Sequence, residues 1–172
     1  MSISLLVVLG SGGHTAEMLR LMTVLETNHF TKIHFIVAKS DQHSYIKVSN
    51  WLKTTSFTGV FHYITRSREV GQSWISSFVS CLYAIFESIF LCIQINPHLI
   101  LTNGPGTCLP IIYLSYILKL FGNVNRIVYI ESFARVNTLS LTGRLVYPVV
   151  DRFIVQWPMK NWPNAECVGK LY

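Results

Sequence analysis

Ile3-Ser4-Leu5-Leu6-Val7-Val8-Leu9, followed at once by Gly10-Ser11-Gly12-Gly13-His14-Thr15, is the stretch on which the reading of this chain turns. A run that is almost wholly apolar and partly β-branched predicts a strand buried on both faces, as in parallel sheets. The glycines after it allow a sharp turn and a close backbone approach with no Cβ in the way, and residues 15–22 then open a helix. A strand, glycine turn and helix in this order aim free N–H groups at a phosphate or pyrophosphate. Gly10, Ser11, Gly12 and Gly13 are therefore candidate phosphate contacts, with His14 beside them. A tight turn that binds nothing would use the same glycines.

The rest of the chain limits what this loop belongs to. A length of 172 residues is enough for one domain with a core and short for a two-domain enzyme. Hydrophobic residues make up 51% and charged residues 13%, so some apolar surface is expected to meet a membrane or a partner. The net charge of +6 suits phosphate ligands or anionic lipid, whereas scattered Lys and Arg with no recognised motif argue against nucleic acid. Cys81, Cys92, Cys108 and Cys167 form no C-x-x-C pair and have no His at zinc-finger spacing, so no metal is expected. Three of them lie in apolar runs, which predicts reduced thiols and a cytosolic setting. The first strand follows Met1-Ser2 directly, with no signal peptide before it.

Strands and helices alternate along the sequence. Residues 32–38 and 60–64 read as strands, with a helix over 41–52 capped by Ser40 or Asp41 between them. The polar segment 66–73 closes the third strand, and strand ends of open parallel sheets bind ligands, so Arg66 and Arg68 are candidate phosphate contacts. Residues 74–95 are the longest apolar run, long enough to span a bilayer but interrupted by Glu87, Gln94 and serines. A crossover helix that also presents Phe78, Leu82, Ile85, Phe86, Ile89 and Phe90 to lipid fits this pattern. Asn96-Pro97 stops it, and residues 98–102 form the next strand.

A second glycine turn then appears, Asn103-Gly104-Pro105-Gly106-Thr107, leading into a helix over 108–120. Two such turns at one sheet edge make a pocket lined by backbone amides, so Asn103, Gly104, Gly106 and Thr107 join the candidates. Residues 126–130 are a fifth strand, ending in Glu131-Ser132-Phe133-Ala134-Arg135. Glu131 offers a base or a sugar-hydroxyl acceptor, or simply a partner for Arg135 or a cap for the next segment; Ser132 and Arg135 offer phosphate contacts. Residues 152–155 are the last apolar strand expected. The α/β domain thus spans 1–156, and 157–172 reads as a tail whose Trp157, Trp162, Val168, Leu171 and Tyr172 either fold back or dock on another subunit.

VVLGSGGHTAEML, the 66–73 segment, NGPGT and YIESFAR occur in the same order as in one family, covering nearly the whole chain. The sequence resembles the eukaryotic membrane-recruiting subunit of the two-part N-acetylglucosaminyltransferase that adds the second sugar to the dolichol-diphosphate precursor of N-glycans. The resemblance implies a Rossmann-like parallel sheet, the N-terminal-type half of a GT-B glycosyltransferase. A separate subunit, equivalent to the C-terminal half, would bind UDP-N-acetylglucosamine. This half would face N-acetylglucosaminyl-diphosphodolichol at the cytosolic side of the endoplasmic reticulum membrane. Gly10 to His14 and Asn103 to Thr107 would be the two loops near the acceptor diphosphate, and residues from Gly169 to Tyr172 would grip the partner. His14 ranks ahead of Glu131 as base, because a helix N-terminus favours neutral imidazole.

Family members usually carry a transmembrane helix ahead of the first strand; here attachment is expected from residues 74–95, from 108–120 or from another subunit. No cofactor is expected. A dinucleotide-dependent oxidoreductase would need a third glycine where Thr15 stands and an acid near Ala38, and a serine hydrolase would need G-x-S-x-G. A non-catalytic membrane scaffold for a partner glycosyltransferase is the alternative role.

Overall fold

In the computed structural model, which describes residues 3–25, 29–66, 71–104, 106–123 and 125–171, the opening strand lies inside the sheet, with neighbours on both sides. The elements run β1 (Ile3–Val8), α1 (Gly13–Val24), β2 (Phe30–Ala38), α2 (Gln42–Lys53), β3 (Gly59–Ile64) and α3 (Trp74–Ile95). They continue through β4 (Leu99–Thr102), α4 (Cys108–Leu120), β5 (Arg126–Ile130), α5 (Leu141–Val146), β6 (Arg152–Val155) and β7 (Ala165–Cys167). Among the described residues the strands form one parallel sheet in the order β3-β2-β1-β4-β5-β6-β7.

The position of β1 explains its composition. Val7 lies beside Phe35 of β2 on one side and Leu101 of β4 on the other, so no edge is left for water. Leu5, Leu6, Val7 and Val8 are each 0% exposed, and burying such side chains contributes about 1.5–3 kcal/mol apiece. Leu5 and Val7 face a core with Met18 and Met22 of α1 and Val48 of α2. Leu6 and Val8 face the opposite core, with Cys92 of α3, Ile111 and Ile112 of α4 and Val146 of α5. Helices therefore cover both faces. The winding reverses between β1 and β4, the place where ligands bind in open α/β sheets.

Local chemistry sets the element ends. Asp41 caps α2 by accepting a hydrogen bond from Ser44 N, and Ser73 caps α3 by accepting from Ser76 N. Asn96 ends α3 in the left-handed region (φ 43°), a conformation that asparagine tolerates, and Pro97 follows. Glu87, which interrupts the apolar run of α3, pairs with Lys39 and accepts from Thr65 N, so it ties the helix to the ends of β2 and β3. Burial raises its pKa, yet those partners leave it below the usual carboxylate value. Burial pushes the Cys92 and Cys108 thiols up to about 11 and about 12, the behaviour of inert core residues.

Three features depart from the sequence reading. Helix α1 begins at Gly13 rather than at residue 15, with Gly12 as its N-cap. Helix α5 has no amphipathic run to announce it; its Ser140 cap, accepting from Gly143 N, starts it. The strand over 152–155 is not the last, because β7 adds to it in parallel, Phe153 beside Ala165 and Val155 beside Cys167. Ala165-Glu166-Cys167 is too short and too polar to carry a strand pattern, and it is recruited by the open edge of β6, reinforced by the Arg152–Glu166 ion pair. The boundary expected at residue 157 therefore falls inside the sheet's own edge. Tyr172 lies outside the described residues.

Candidate functional site

The loops after β1 and β4 leave adjacent strands at the same end of the sheet, and they touch. Asn103 Nδ2 donates to the His14 carbonyl at 2.6 Å, with Asn103 itself only 3% exposed. Gly104 adopts φ 87°, a region open to glycine, and lies directly against the His14 ring. The two glycine turns expected to share an edge do share it.

Gly10 is held from below. Its carbonyl accepts from Thr15 Oγ1 and lies 3.2 Å from Ser44 Oγ, and Thr15 Oγ1 and Ser44 Oγ are themselves 2.7 Å apart. Ser44 Oγ commits its proton to Asp41 Oδ2 at 2.6 Å, so the start of α2 fixes the first glycine loop. Thr15 occupies the place where a dinucleotide fingerprint has its third glycine, and its buried hydroxyl gives that substitution a structural reason. Above this anchor, Ser11, Gly12 and Gly13 are exposed, with open space where side chains on Gly12 and Gly13 would be.

Both helices at the site begin without a side-chain cap. Neither Gly12 of α1 nor Thr107 of α4 makes a side-chain capping bond, and neither helix has an acidic residue in its first turn. In α4 the Leu109 N–H is taken by the Gly106 carbonyl at 3.2 Å and Pro110 has none, so it is the start of α1, at Gly12, Gly13 and His14, that offers free N–H groups and a positive dipole end, the arrangement that stabilises an oxyanion or a diphosphate. Gly106 is exposed with nothing within 4 Å of a Cβ position, and Thr107 is buried at the start of α4.

The end of β5 closes the third side. Glu131 is 1% exposed, and its carboxylate accepts from Ser132 N (3.0 Å), Ser140 N (2.9 Å) and Ser140 Oγ (3.0 Å). Gly143 packs against Glu131 Oε2 so closely that a Cβ there would collide with it. A carboxylate so enclosed holds the 131–140 loop and the start of α5; it does not face an acceptor, so the expectation that it is a base gives way to its reading as a cap. Ser132 Oγ donates to Glu17 Oε1 at 3.0 Å, which brings Ser132 next to α1. Glu17 was missed as a site residue, although its spacing from His14 on one helix is the signal that finds it. Arg135 is exposed on the same loop.

The other candidates lie further out. Arg66 is half-buried and engaged at the end of β3, separated from the β1 loop by β2, and Arg68 lies outside the described residues. Trp157 spends its indole on this domain, donating to the Phe133 carbonyl at 2.8 Å and packing on the Phe133 ring. Trp162 packs edge-on against Tyr147. The two tryptophans expected at a partner surface are thus half-buried by their own chain, because aromatic area is available at the β6 edge. Gly169 takes φ 76°, which lets Leu171 N return to Gln156 Oε1 at 3.3 Å; Val168 is exposed.

A large apolar surface lies on α3 and α4. Leu82, Ile85, Phe86, Ile89 and Phe90 are exposed on α3, as are Ile117 and Leu120 on α4; the Phe78 side chain lies outside the described residues. A groove between the two helices is lined by Ile85, Ile89, Leu109, Pro110, Tyr113 and Ile117. Among the described residues no helix is long and apolar enough to cross a membrane, and no group of His, Cys, Asp and Glu is placed to hold a metal ion.

Residues 5–171 match the family described as "Oligosaccharide biosynthesis protein Alg14 like". The chain is 42% identical to the UDP-N-acetylglucosamine transferase subunit ALG14 of Rattus norvegicus, covering 99% of this chain and 83% of that one. Its Homo sapiens counterpart is 39% identical, with 99% and 83% covered, and that of Candida albicans 42% identical, with 96% and 76% covered. Among solved structures, MurG of Acinetobacter baumannii superposes with a TM-score of 0.68 at 14% identity, over 98% of this chain and 45% of that chain. UDP-N-acetylglucosamine 2-epimerase from Rickettsia bellii gives 0.60 at 9% identity, over 99% of this chain and 46% of the other. These structural likenesses are of fold: a Rossmann-like sheet spanning less than half of a GT-B chain.

Proposed function

Because the chain belongs to the Alg14 family of oligosaccharide biosynthesis proteins, we propose that it is the acceptor-side subunit of a two-part UDP-N-acetylglucosamine transferase. The meeting of two glycine loops at His14, beside the uncapped N-terminus of α1, carries this reading. Such a site takes a diphosphate and leaves an imidazole within reach of the sugar attached to it. The acceptor is N-acetylglucosaminyl-diphosphodolichol, and the donor UDP-N-acetylglucosamine comes on a separate subunit that supplies the other GT-B half.

The chemistry follows from this placement. The acceptor's 4-hydroxyl oxygen attacks the anomeric carbon of the donor in line, its proton passes to His14, and the bond from that carbon to the UDP oxygen breaks with its electron pair leaving on UDP. The amides of the two loops hold the acceptor diphosphate so that the hydroxyl is aligned. One half alone lacks the donor, so turnover requires the assembled pair.

The exposed apolar face of α3 and α4 supports contact with the cytosolic leaflet of the endoplasmic reticulum membrane, where it would bring the donor subunit to its lipid substrate. Transfer of labelled N-acetylglucosamine from UDP-N-acetylglucosamine to N-acetylglucosaminyl-diphosphodolichol tests the proposal with this chain, its donor subunit, and the two together. Activity only in the mixture, abolished by His14→Ala, is expected. Full activity with His14→Ala leaves this chain a membrane scaffold for its partner.

A further inference from the structure

His14 and Glu17 stand on successive turns of one face of α1, with His14 Nδ1 3.9 Å from Glu17 Oε2. Both of these atoms are shut away from solvent, and neither has a hydrogen-bond partner among the described residues. The His14 side chain as a whole is nevertheless 34% exposed. Its accessible part therefore lies elsewhere on the side chain than Nδ1. Gly104 backs the ring on one side, since a Cβ there would stand 2.8 Å from Cε1 and 3.1 Å from Nδ1.

The carboxylate is fixed from a different element. Ser132 Oγ donates to Glu17 Oε1 at 3.0 Å, while the same oxygen accepts from Ala134 N at 3.4 Å. The one hydroxyl proton of Ser132 is thereby committed to Glu17. Ser132 N is in turn held by the buried Glu131 carboxylate. One oxygen of Glu17 is braced by the β5 loop, and the other is left facing imidazole.

We propose that Glu17 is the positioning residue of His14: it holds the ring proton on Nδ1, so that Nε2 is left bare to accept a proton. An ionised carboxylate only accepts, so the nitrogen beside it must donate. Closing the present separation by about 1 Å brings the pair to hydrogen-bond distance, the tightening expected when a catalytic site fills. As the acceptor hydroxyl loses its proton to Nε2, the imidazolium formed is paired with Glu17. The inference rests on His14 being the proton acceptor. It adds what selects the tautomer, and it assigns Ser132 to bracing the carboxylate.

Glu17→Gln separates this role from a structural strut, because its amide oxygen still accepts from Ser132 while the charge is gone. In the assembled enzyme we expect kcat to fall by at least about 10-fold, toward the roughly 10⁴-fold loss seen where a catalytic histidine is left in the wrong tautomer, with the acceptor KM and the melting temperature unchanged. Ser132→Ala keeps the charge and loses the brace, and costs only a few-fold. Nitrogen-15 NMR of the His14 ring in the full chain gives a readout independent of turnover. The wild type shows protonated Nδ1 and bare Nε2, and Glu17→Gln shifts the proton toward Nε2. Unchanged ring resonances in Glu17→Gln overturn the proposal, as does full turnover by Glu17→Gln where His14→Ala has none. If His14→Ala keeps full turnover, the proton-acceptor reading fails, and the tautomer readout still decides whether Glu17 orients the ring.

Discussion

Gly104 and His14 meet with no room for a side chain between them: a Cβ on Gly104 would stand 2.8 Å from His14 Cε1. The β4 loop thus sets the depth at which the imidazole of α1 sits, and Asn103 beside it pins the His14 carbonyl.

Gly104→Ala is expected to lose activity through this contact. Its φ of 87° costs a non-glycine residue about 1–2 kcal/mol, and the methyl must push the ring aside. A displacement of about 1 Å at a reacting group costs up to about 100-fold in rate, so a turnover loss of at least 10-fold is expected with a modest fall in melting temperature. Gly106→Ala is the control in the same loop. Its Cβ meets nothing within 4 Å, so the fold stays intact and any loss of turnover appears as a raised acceptor KM.

Glu131→Gln distinguishes a base from a cap. The native carboxylate accepts from Ser132 N and from both Ser140 donors, and an amide puts a donor among them. Leaving buried groups unsatisfied costs about 1–3 kcal/mol, which lowers the melting temperature by several degrees. Thermal unfolding beside turnover checks this: a marked loss of stability with residual activity is expected, whereas loss of turnover at full stability would restore Glu131 as the base.

The β2–β3 edge predicts an acid-sensitive fold. His34 Nδ1 lies 2.8 Å from His62 Nε2, with the rings stacked. Burial lowers the pKa of both below the ordinary value of 6.5; for His34 the second cause is His62, and Lys32 adds to both. The unfolded chain therefore takes up protons first as pH falls. The stability tied to the neutral pair is complete above about pH 6.5 and is lost as pH drops below it. Melting temperatures at pH 7.5 and 5.5 should differ by less in His62→Gln than in the wild type.

The outer face of α3 should bind lipid without holding up the fold. Phe86 is 74% and Phe90 67% exposed, so Phe86→Asp with Phe90→Asp removes apolar area that no core residue needs. Co-sedimentation of the assembled enzyme with phosphatidylcholine vesicles containing anionic lipid is expected to weaken by about 10-fold or more, with the melting temperature unchanged. Equal binding by the double variant would place membrane contact elsewhere.

The amino-acid order by itself determined the alternation of strands and helices, the burial of β1, the extents of α3 and α4 and the two glycine turns. Each of these depends on neighbours in sequence: apolar runs, caps, and glycines before a helix. Tertiary structure decided what depends on distant partners. β7 exists because β6 offers an unpaired edge, and Ala165-Glu166-Cys167 alone carries no strand pattern. Trp157 and Trp162 read as aromatic residues that either fold back or dock on another subunit, and only the tertiary structure shows them against Phe133 and Tyr147. Glu131 reads as a free acid at a strand end, and only the return of Ser140 encloses it. The bond from Ser132 to Glu17 likewise joins β5 to α1 only because parallel strands end their loops at one edge, so the positioning of His14 is a property of the sheet.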